Sequence, residues 1–494
     1  MKRRKQKIDK PLCNCGIFGA FNDKNAAVSA YLGLHALQHR GQESAGIVSV
    51  MWDDEKKRYK FKIKKDFGLV TEVFRDETIL TGFLKGNSAI GHNRYSTKGS
   101  AKSAQNIQPF LVHYHKGNIA IAHNGNLTNS KFLRDKLEKE GTIFQTTSDS
   151  EIFLHLIAKS KKSNLVDQIM DSINQVKGAY SLLFLTDNQL IAARDPHGVR
   201  PLVIGKLKDS YYAASETCAL DMICAEYIRE VEPGEVVVID DTTVQTGEIK
   251  TFKIEEQVDK YHHCIFEYIY FSRPDSFIFG ESVDRIRRKL GKNLAEEKPV
   301  YPDEGSKIVV MSVPDSSNTA ALGYSDQSKK LGITSKLEIG LIRNHYVGRT
   351  FIQPEQNGRE NAVRRKFNVV RGVIKDNQIV IVDDSIVRGT TSKKLIQLIR
   401  EAKPKEIHFR VSSPPVTSPC YYGMDFPDKN ELIAVKLGND VEKIREYLEV
   451  DSLEYISEEK LLASVPSGGK TGYCTACFTG KYPIVYDDGI KKEG

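Results

Sequence analysis

No run in this 494-residue chain approaches the roughly 18 consecutive apolar residues that a membrane-spanning helix needs. The leader MKRRKQKIDK is basic but no apolar segment follows it, which excludes an ordinary secretory signal. It also lacks the Ser-rich amphipathic pattern of an organellar transit segment, so the expected location is cytoplasmic. Internal repeats and low-complexity tracts are missing, which excludes a repeat array. No basic stripe interleaved with aromatics stands out, so neither nucleic acid nor membrane is an expected partner. The net charge of +8 suits phosphorylated small substrates at least as well. The eight cysteines, in a reducing compartment, do not form a disulfide framework.

What is present is an ordinary globular composition, 40% hydrophobic and 28% charged, at a length that suggests two or three domains. From about residue 15 to 250 the chain reads as a sheet-rich α+β domain. GNIAIAHNGNL, YSLLFLTDNQLIAARD and GEVVVID are strand-like, while AVSAYLGLHALQHR and DSEIFLHLIAKS carry helical apolar spacing. The boundary is expected at 245–262, in charged, weakly periodic sequence. Beyond it KIVVMSVPDSS reads as strand and turn, NTAALGYSDQSKKLG as helix, and QIVIVDDSIVRGTTSKKLIQLIREAKPKEIHFRVSSPP as a βαβ unit with a parallel sheet. The tail, 440–494, reads as helix followed by a Gly-rich loop. Cys218 and Cys224, in SETCALDMICAEYI, are expected in an apolar, core-packed helix.

The run Gln378–Val382 delivers Asp383 and Asp384 to the carboxyl edge of a parallel strand, where open α/β sheets bind ligands. Ser385, then Arg388-Gly389-Thr390-Thr391-Ser392, lead into a helix whose hydroxyls and backbone N–H groups suit a phosphate dianion. Two acids followed by a hydroxyl-rich turn suggest a sugar phosphate. The string VDDSIVRGTTS resembles the phosphoribosyl-pyrophosphate (PRPP) loop of type I phosphoribosyltransferases. That resemblance implies that Asp383 and Asp384 hold ribose hydroxyls and one Mg²⁺ per subunit, that Ser385 and Arg388 to Ser392 bind PRPP, and that Ser316, in Val313-Pro314-Asp315-Ser316-Ser317, contacts the metal. Arg343 to Ile352 resembles the family's flexible loop, with Arg349 a PRPP ligand and His345 left without a role. SVPSGGKT imitates an ATP-binding P-loop but has Ser464 where the first Gly is required and no strand before it, so it reads as a plain loop.

In the first half, Gln38 to Glu43, Gly91 to Thr97, Ala122 to Leu127 and Thr147 to Glu151 are polar clusters at element ends. Each alone is explained by a turn or a cap, HNGN as a hairpin turn among them. In this order after CGIFG they resemble the glutaminase domain of N-terminal-nucleophile amidotransferases. Both halves together resemble the iron–sulfur-containing branch of the glutamine PRPP amidotransferases. The resemblance implies an αββα-sandwich glutaminase domain at 15–250, joined to an α/β type I phosphoribosyltransferase domain at 251–494. It implies a pentosyltransferase that hydrolyses glutamine at Cys15 and channels ammonia to PRPP. The products are 5-phosphoribosylamine, pyrophosphate and glutamate, the first committed step of purine biosynthesis. Asn124 and Gly125 would form the oxyanion hole, and Arg94, Asp149 and Arg40 would bind glutamine. Purine nucleotides would be feedback inhibitors and the assembly a homotetramer.

A nucleophile that uses its own α-amine as base must be the first residue, yet 1–14 precede Cys15. The expectation is a propeptide cut at Asn14–Cys15, which discards Cys13. Cys264, Cys420, Cys474 and Cys477 are compatible with a Cys₄ zinc or a [4Fe–4S] site, and residue chemistry does not choose. The resemblance implies one [4Fe–4S] cluster per subunit held by these four. Two other readings remain: another N-terminal-nucleophile amidotransferase, for which the PRPP loop is foreign, and a PRPP-sensing non-catalytic regulator, which has no need of Cys15, Arg94 and Asp149 together.

Overall fold

Between Gly16 and Lys253 the chain alternates short strands with a few helices, because most strands here are apolar on both faces. The computed structural model describes residues 15–94, 103–344, 366–424 and 426–486. The strands are β1 (Gly16–Phe21), β2 (Ser44–Asp53), β3 (Arg58–Phe67), β4 (Ser88–Arg94), β5 (Phe110–Tyr114), β6 (Gly117–Leu127), β7 (Gly178–Thr186), β8 (Leu190–Arg194), β9 (Val203–Leu207), β10 (Ser210–Ala214), β11 (Glu226–Glu230), β12 (Glu235–Ile239) and β13 (Lys250–Lys253). They form a seven-stranded sheet in the order β11-β9-β10-β1-β4-β2-β3 and a six-stranded sheet in the order β13-β12-β8-β7-β6-β5, all antiparallel.

Strand periodicity sorts the side chains into layers. Ile17, Val48, Ile90, Leu183 and Ala192 fill the space between the two sheets. Their neighbours Phe18, Ala45 and Ile47 face the Ala26–Ala36 helix, and Leu182 and Phe184 face the Ser150–Lys159 and Leu165–Ile173 helices. The result is the αββα sandwich that the resemblance implied. β13 straddles residue 250 and still belongs to the six-stranded sheet.

The second half holds a five-stranded parallel sheet in the order Ser335–Leu337, Ile308–Ser312, Gln378–Asp383, Glu406–Val411, Ser452–Tyr455. The Val283–Glu297 and Asn318–Lys330 helices cover one face through Leu290, Leu294, Ala320 and Tyr324. The Thr390–Arg400 and Val441–Leu448 helices cover the other through Leu395, Ile399, Ile444 and Leu448. Among the described residues no helix is long and apolar enough to cross a membrane.

Three local expectations are corrected. The tail supplies a sheet strand, Ser452–Tyr455, as well as helix and loop. The helix expected through Cys224 stops at Asp221, and Cys224 lies exposed in a turn with φ +56°, while Cys218 is buried. HNGN is no hairpin turn but lies within β6. SVPSGGKT is a loop after the Glu458–Leu462 helix, as read.

Candidate active sites

Cys15 sits immediately before β1, in the middle of the seven-stranded sheet. Gly16 N–H donates to Asn93 Oδ1 (2.8 Å), and the Asn93 amide in turn donates to the carbonyls of Leu34 (3.1 Å) and Leu37 (2.9 Å). The C-terminal end of the first helix is thereby tied to the residue after the thiol. Ile17 N–H donates to Ser215 Oγ at 3.0 Å. Arg94 ends β4, one step beyond the Gly16–Asn93 pair, so the thiol and this guanidinium leave the same edge of one ladder. Arg94 Nη1 donates to the Asn106 carbonyl at 2.9 Å.

Asn124 and Gly125 lie on β6, in the facing sheet. His92 of β4 spans the gap: its Nε2–H donates to the His123 carbonyl at 3.2 Å. Burial first, and then the Arg94 charge, pull the His92 pKa down to about 3, so it is a neutral link between the sheets. The Asn124 side chain is 0% exposed, yet neither Nδ2 nor Oδ1 has a hydrogen-bond partner among the described residues. Buried amides are almost always satisfied, so an orphan at this place is a candidate donor for a group that arrives later. Asp149 precedes the Ser150–Lys159 helix and accepts from Leu127 N–H at 2.9 Å, with His123 Nδ1 3.7 Å from its other oxygen. It therefore stands at the far end of the same strand segment. Gln108 reinforces the group, accepting from His123 N–H (2.8 Å) and donating to Ser150 Oγ (3.1 Å). His92 and Asn93 stand in sequence only as members of the Gly91 to Thr97 cluster, without roles of their own, and Gln108 was missed; the available signal was a polar side chain inside an otherwise apolar strand or turn.

Arg40 is committed to a buried polar network. Its guanidinium donates to Glu216, to Glu267 Oε2 (2.6 Å) and to Ser272 Oγ (3.1 Å), all buried. Arg200 completes the group, donating to Glu267 Oε1 at 3.0 Å. Burial alone would raise the Glu216 carboxyl, but Arg40 and then His39 outweigh it and hold it well below the usual carboxylate range. A buried cation needs paired carboxylates, and these occupy the donors expected to hold glutamine. Arg40 instead joins the two halves of the chain.

In the second half the acid pair stands where the sequence places it, at the carboxyl end of the central strand, with both residues buried. Ser317 Oγ donates to Asp383 Oδ1 (3.2 Å), Ser385 Oγ to Asp384 Oδ1 (2.7 Å), and Ser316 Oγ to Asp384 Oδ2. Gly389 then turns the chain with φ +74°, a backbone conformation that favours glycine. The Thr390–Arg400 helix begins directly after it, with Thr390 exposed, Thr391 half-buried and Ser392 buried at its start. The Arg388 guanidinium donates to Glu431 (2.8 and 3.0 Å). Arg343 Nη1 donates to Asp315 Oδ2 at 2.6 Å and ties the start of the expected flexible loop to the Ser316 turn. His345, Arg349, Cys13 and Asn14 lie outside the described residues.

The four cysteines converge from three segments. His263–Cys264 pairs in parallel with Tyr473–Cys474, which sets Cys264 beside Cys474. The Cys477 carbonyl accepts from Thr417 (2.9 Å) and Ser418 (3.0 Å) N–H, which brings in the Cys420 segment. Burial, chiefly, pushes the Cys264 thiol up to about 12, and Cys474 and Cys477 are also raised, first by burial and then by neighbouring thiols of the group. Among the described residues no three His, Cys, Asp or Glu side chains are arranged as ligands of a single metal ion.

Comparison with known proteins agrees with this division. Residues 92–222 match a family model described as a glutamine amidotransferase domain. The amidophosphoribosyltransferase of Bacillus subtilis is 46% identical, over 96% of this chain and 95% of that protein. The chain belongs to the amidophosphoribosyltransferase family. Solved structures superpose over nearly all of both chains. One, described as the allosteric regulatory enzyme of purine biosynthesis, gives a TM-score of 0.86 at 44% identity, covering 96% of this chain and 97% of that one. Another, the B. subtilis glutamine PRPP amidotransferase complexed with ADP and GMP, gives 0.85 at 45%, covering 96% and 98%. Family membership thus accounts for both sites on one chain.

Proposed function

We propose that this chain catalyses the amidophosphoribosyltransferase reaction, drawing ammonia from glutamine in its first half and delivering it to PRPP in its second. The observation that carries the reading is the pairing of an unpartnered buried amide, Asn124, facing the Cys15-bearing sheet, with an acid pair at the carboxyl edge of a parallel sheet. Cys15 attacks the glutamine carboxamide; Asn124 Nδ2 and Gly125 N–H receive the oxyanion, and collapse to the thioester releases ammonia. Arg94 and Asp149 take the carboxylate and α-ammonium of glutamine. The free α-amine of Cys15, exposed by loss of residues 1–14, serves as base.

In the second half the turn from Arg388 to Ser392 and the helix dipole behind it bind the 5-phosphate, and Arg349 is a further PRPP ligand. Asp383, Asp384 and Ser316 supply the oxygen donors that a hard cation prefers, and would hold Mg²⁺. Bound there, the ion neutralises charge on departing pyrophosphate. Ammonia then attacks C1 of the ribose, giving 5-phosphoribosylamine. Cys264, Cys420, Cys474 and Cys477, brought together by the Cys264–Cys474 pairing and the Cys477 carbonyl bonds to Thr417 and Ser418, would hold a [4Fe–4S] cluster through their thiolates. Such a cluster would staple the Cys474–Cys477 segment to the Cys264 and Cys420 segments. On this reading the chain would belong to the iron–sulfur branch. Purine nucleotides as inhibitors, a homotetramer and a cytoplasmic location complete the proposal; the nucleotide-bound relative supports the first of these.

The test is glutamate and pyrophosphate release by the purified chain. Glutamine hydrolysis is expected to rise with PRPP, and Cys15→Ala to abolish it by more than about 10⁴-fold while ammonium still supports pyrophosphate release. No pyrophosphate from either nitrogen source would overturn the reading. Native intact mass of anaerobically purified protein reads the leader and the cluster together. An uncut, fully active chain would sink the N-terminal-nucleophile mechanism.

A further inference from the structure

The oxyanion segment of β6 is not closed by its own half of the chain. Asn126 Nδ2 donates to the Tyr421 carbonyl at 2.9 Å. Arg200 Nη2 donates to the Tyr422 carbonyl at 2.9 Å. Gly423, with φ +101°, lies with its backbone against Gly125: a Cβ built there would be 2.9 Å from both the Gly125 carbonyl carbon and oxygen and 3.2 Å from its Cα. Three consecutive residues of the second half are thus each fixed to the first, and the last of them touches the residue whose N–H is a proposed oxyanion donor. Gly125 has no slack elsewhere, since a Cβ on it would sit 2.0 Å from the Ala179 carbonyl oxygen. Tyr422 is held in turn by its hydroxyl, which donates to the Ile484 carbonyl (2.8 Å) and accepts from Ile484 N–H (2.9 Å).

We infer that Gly423 is a positioning residue for glutamine hydrolysis: its lack of a side chain lets the Tyr421–Gly423 backbone seat against Gly125 and hold the oxyanion hole in register. This deepens the reading above and rests on Asn124 and Gly125 being the oxyanion donors. A methyl at 423 meets backbone, which cannot swing aside as a side chain can, so Gly125 must move by a few tenths of an ångström. Donors that must sit within a narrow range of the developing oxyanion do not tolerate that shift.

The test compares full-length wild type, Gly423→Ala and Asn126→Ala. The second variant removes the bond to Tyr421 without adding volume, and decides the matter if the first does not fold. Expected is a fall in kcat for glutamine of about 10-fold or more for Gly423→Ala and about 5-fold for Asn126→Ala, with KM within about 2-fold. Alkylation of Cys15 by iodoacetamide passes through no oxyanion, so its rate is expected unchanged. Ammonium-dependent pyrophosphate release is likewise expected unchanged. Unaltered kcat in both variants overturns the inference, as does a parallel loss of alkylation and ammonium activity in both. A wild type that hydrolyses no glutamine would overturn the functional reading itself.

Discussion

On β6, Asn124 is wholly buried and both polar atoms of its side chain lack a partner among the described residues. At the end of the Gln378–Asp383 strand, Asp383 and Asp384 are as deeply buried, yet hydroxyls of Ser316, Ser317 and Ser385 donate to them. An orphaned buried amide costs roughly 1–3 kcal/mol, so the first half carries a strain that the second avoids. On the proposed reading, the difference follows from when charge appears. Glutamine arrives with a neutral carboxamide and becomes an oxyanion only in the transition state, so a donor already engaged would have to be freed at the moment of reaction. The second site meets ligands that are charged from the start, and its own carboxylates can rest on hydroxyls until those ligands arrive. A polar group left unpartnered is therefore informative in the first half, and a fully partnered one in the second.

The largest test falls on the junction between the halves. Glu216→Gln leaves Arg40 with one carboxylate fewer and is expected to cost about 3–5 kcal/mol at pH 7 in urea denaturation, the range for breaking a buried pair. Glu216 is depressed in the folded state, so its contribution is complete above the unfolded value of 4.5 and is lost as pH falls through the folded one. The gap between variant and wild type is thus expected to narrow below about pH 4.5. A gap that stays constant between pH 7 and pH 4 would mean that the carboxylate is not what holds the seam.

Asn124→Leu comes next. Glutamine kcat is expected to fall by about 10²–10³-fold, while the melting temperature holds or rises, because no hydrogen bond is removed. A clear loss of stability would show that the Asn124 amide has a partner after all. The smallest effect belongs to Asp384→Asn, where an amide N–H would face a serine O–H. The second half is expected to lose about 1–3 kcal/mol and PRPP-dependent turnover to drop with either nitrogen source. If stability is unchanged, the contrast between the two sites fails.

The second site was the more legible one, for a physical reason. Asp383 to Ser392 are contiguous, so a strand end, a turn and a helix start carry the phosphate chemistry within one stretch. The first site gathers Cys15, Arg94, Asn124 and Asp149 from four elements, and only their order along the chain pointed to it. The ion pairs of Arg40 were not legible, because a basic residue in a polar cluster reads as a ligand, while one of its partners, Glu267, lies 227 residues away. The Ser452–Tyr455 strand was missed because it is only four residues long; its alternation, with Leu453 and Tyr455 inward, is clear only once Glu406–Val411 lies beside it. Cys224 was drawn into a helix by apolar neighbours, whereas its positive φ ends the turn before the periodicity runs out. The layers themselves were readable because strands buried on both faces leave uninterrupted apolar runs.

Thr128, just past the end of β6, donates to the carbonyl of Val485 at 2.9 Å. The ribosome must therefore have passed Val485 before this segment can find its final partner. Before that point the six-stranded sheet is complete only in outline, since its β6 edge waits for Tyr421, Gly423 and Val485. The order of manufacture thus sets the order of assembly: a chain grown only as far as residue 420 already carries the thiol but not the backbone that packs against β6.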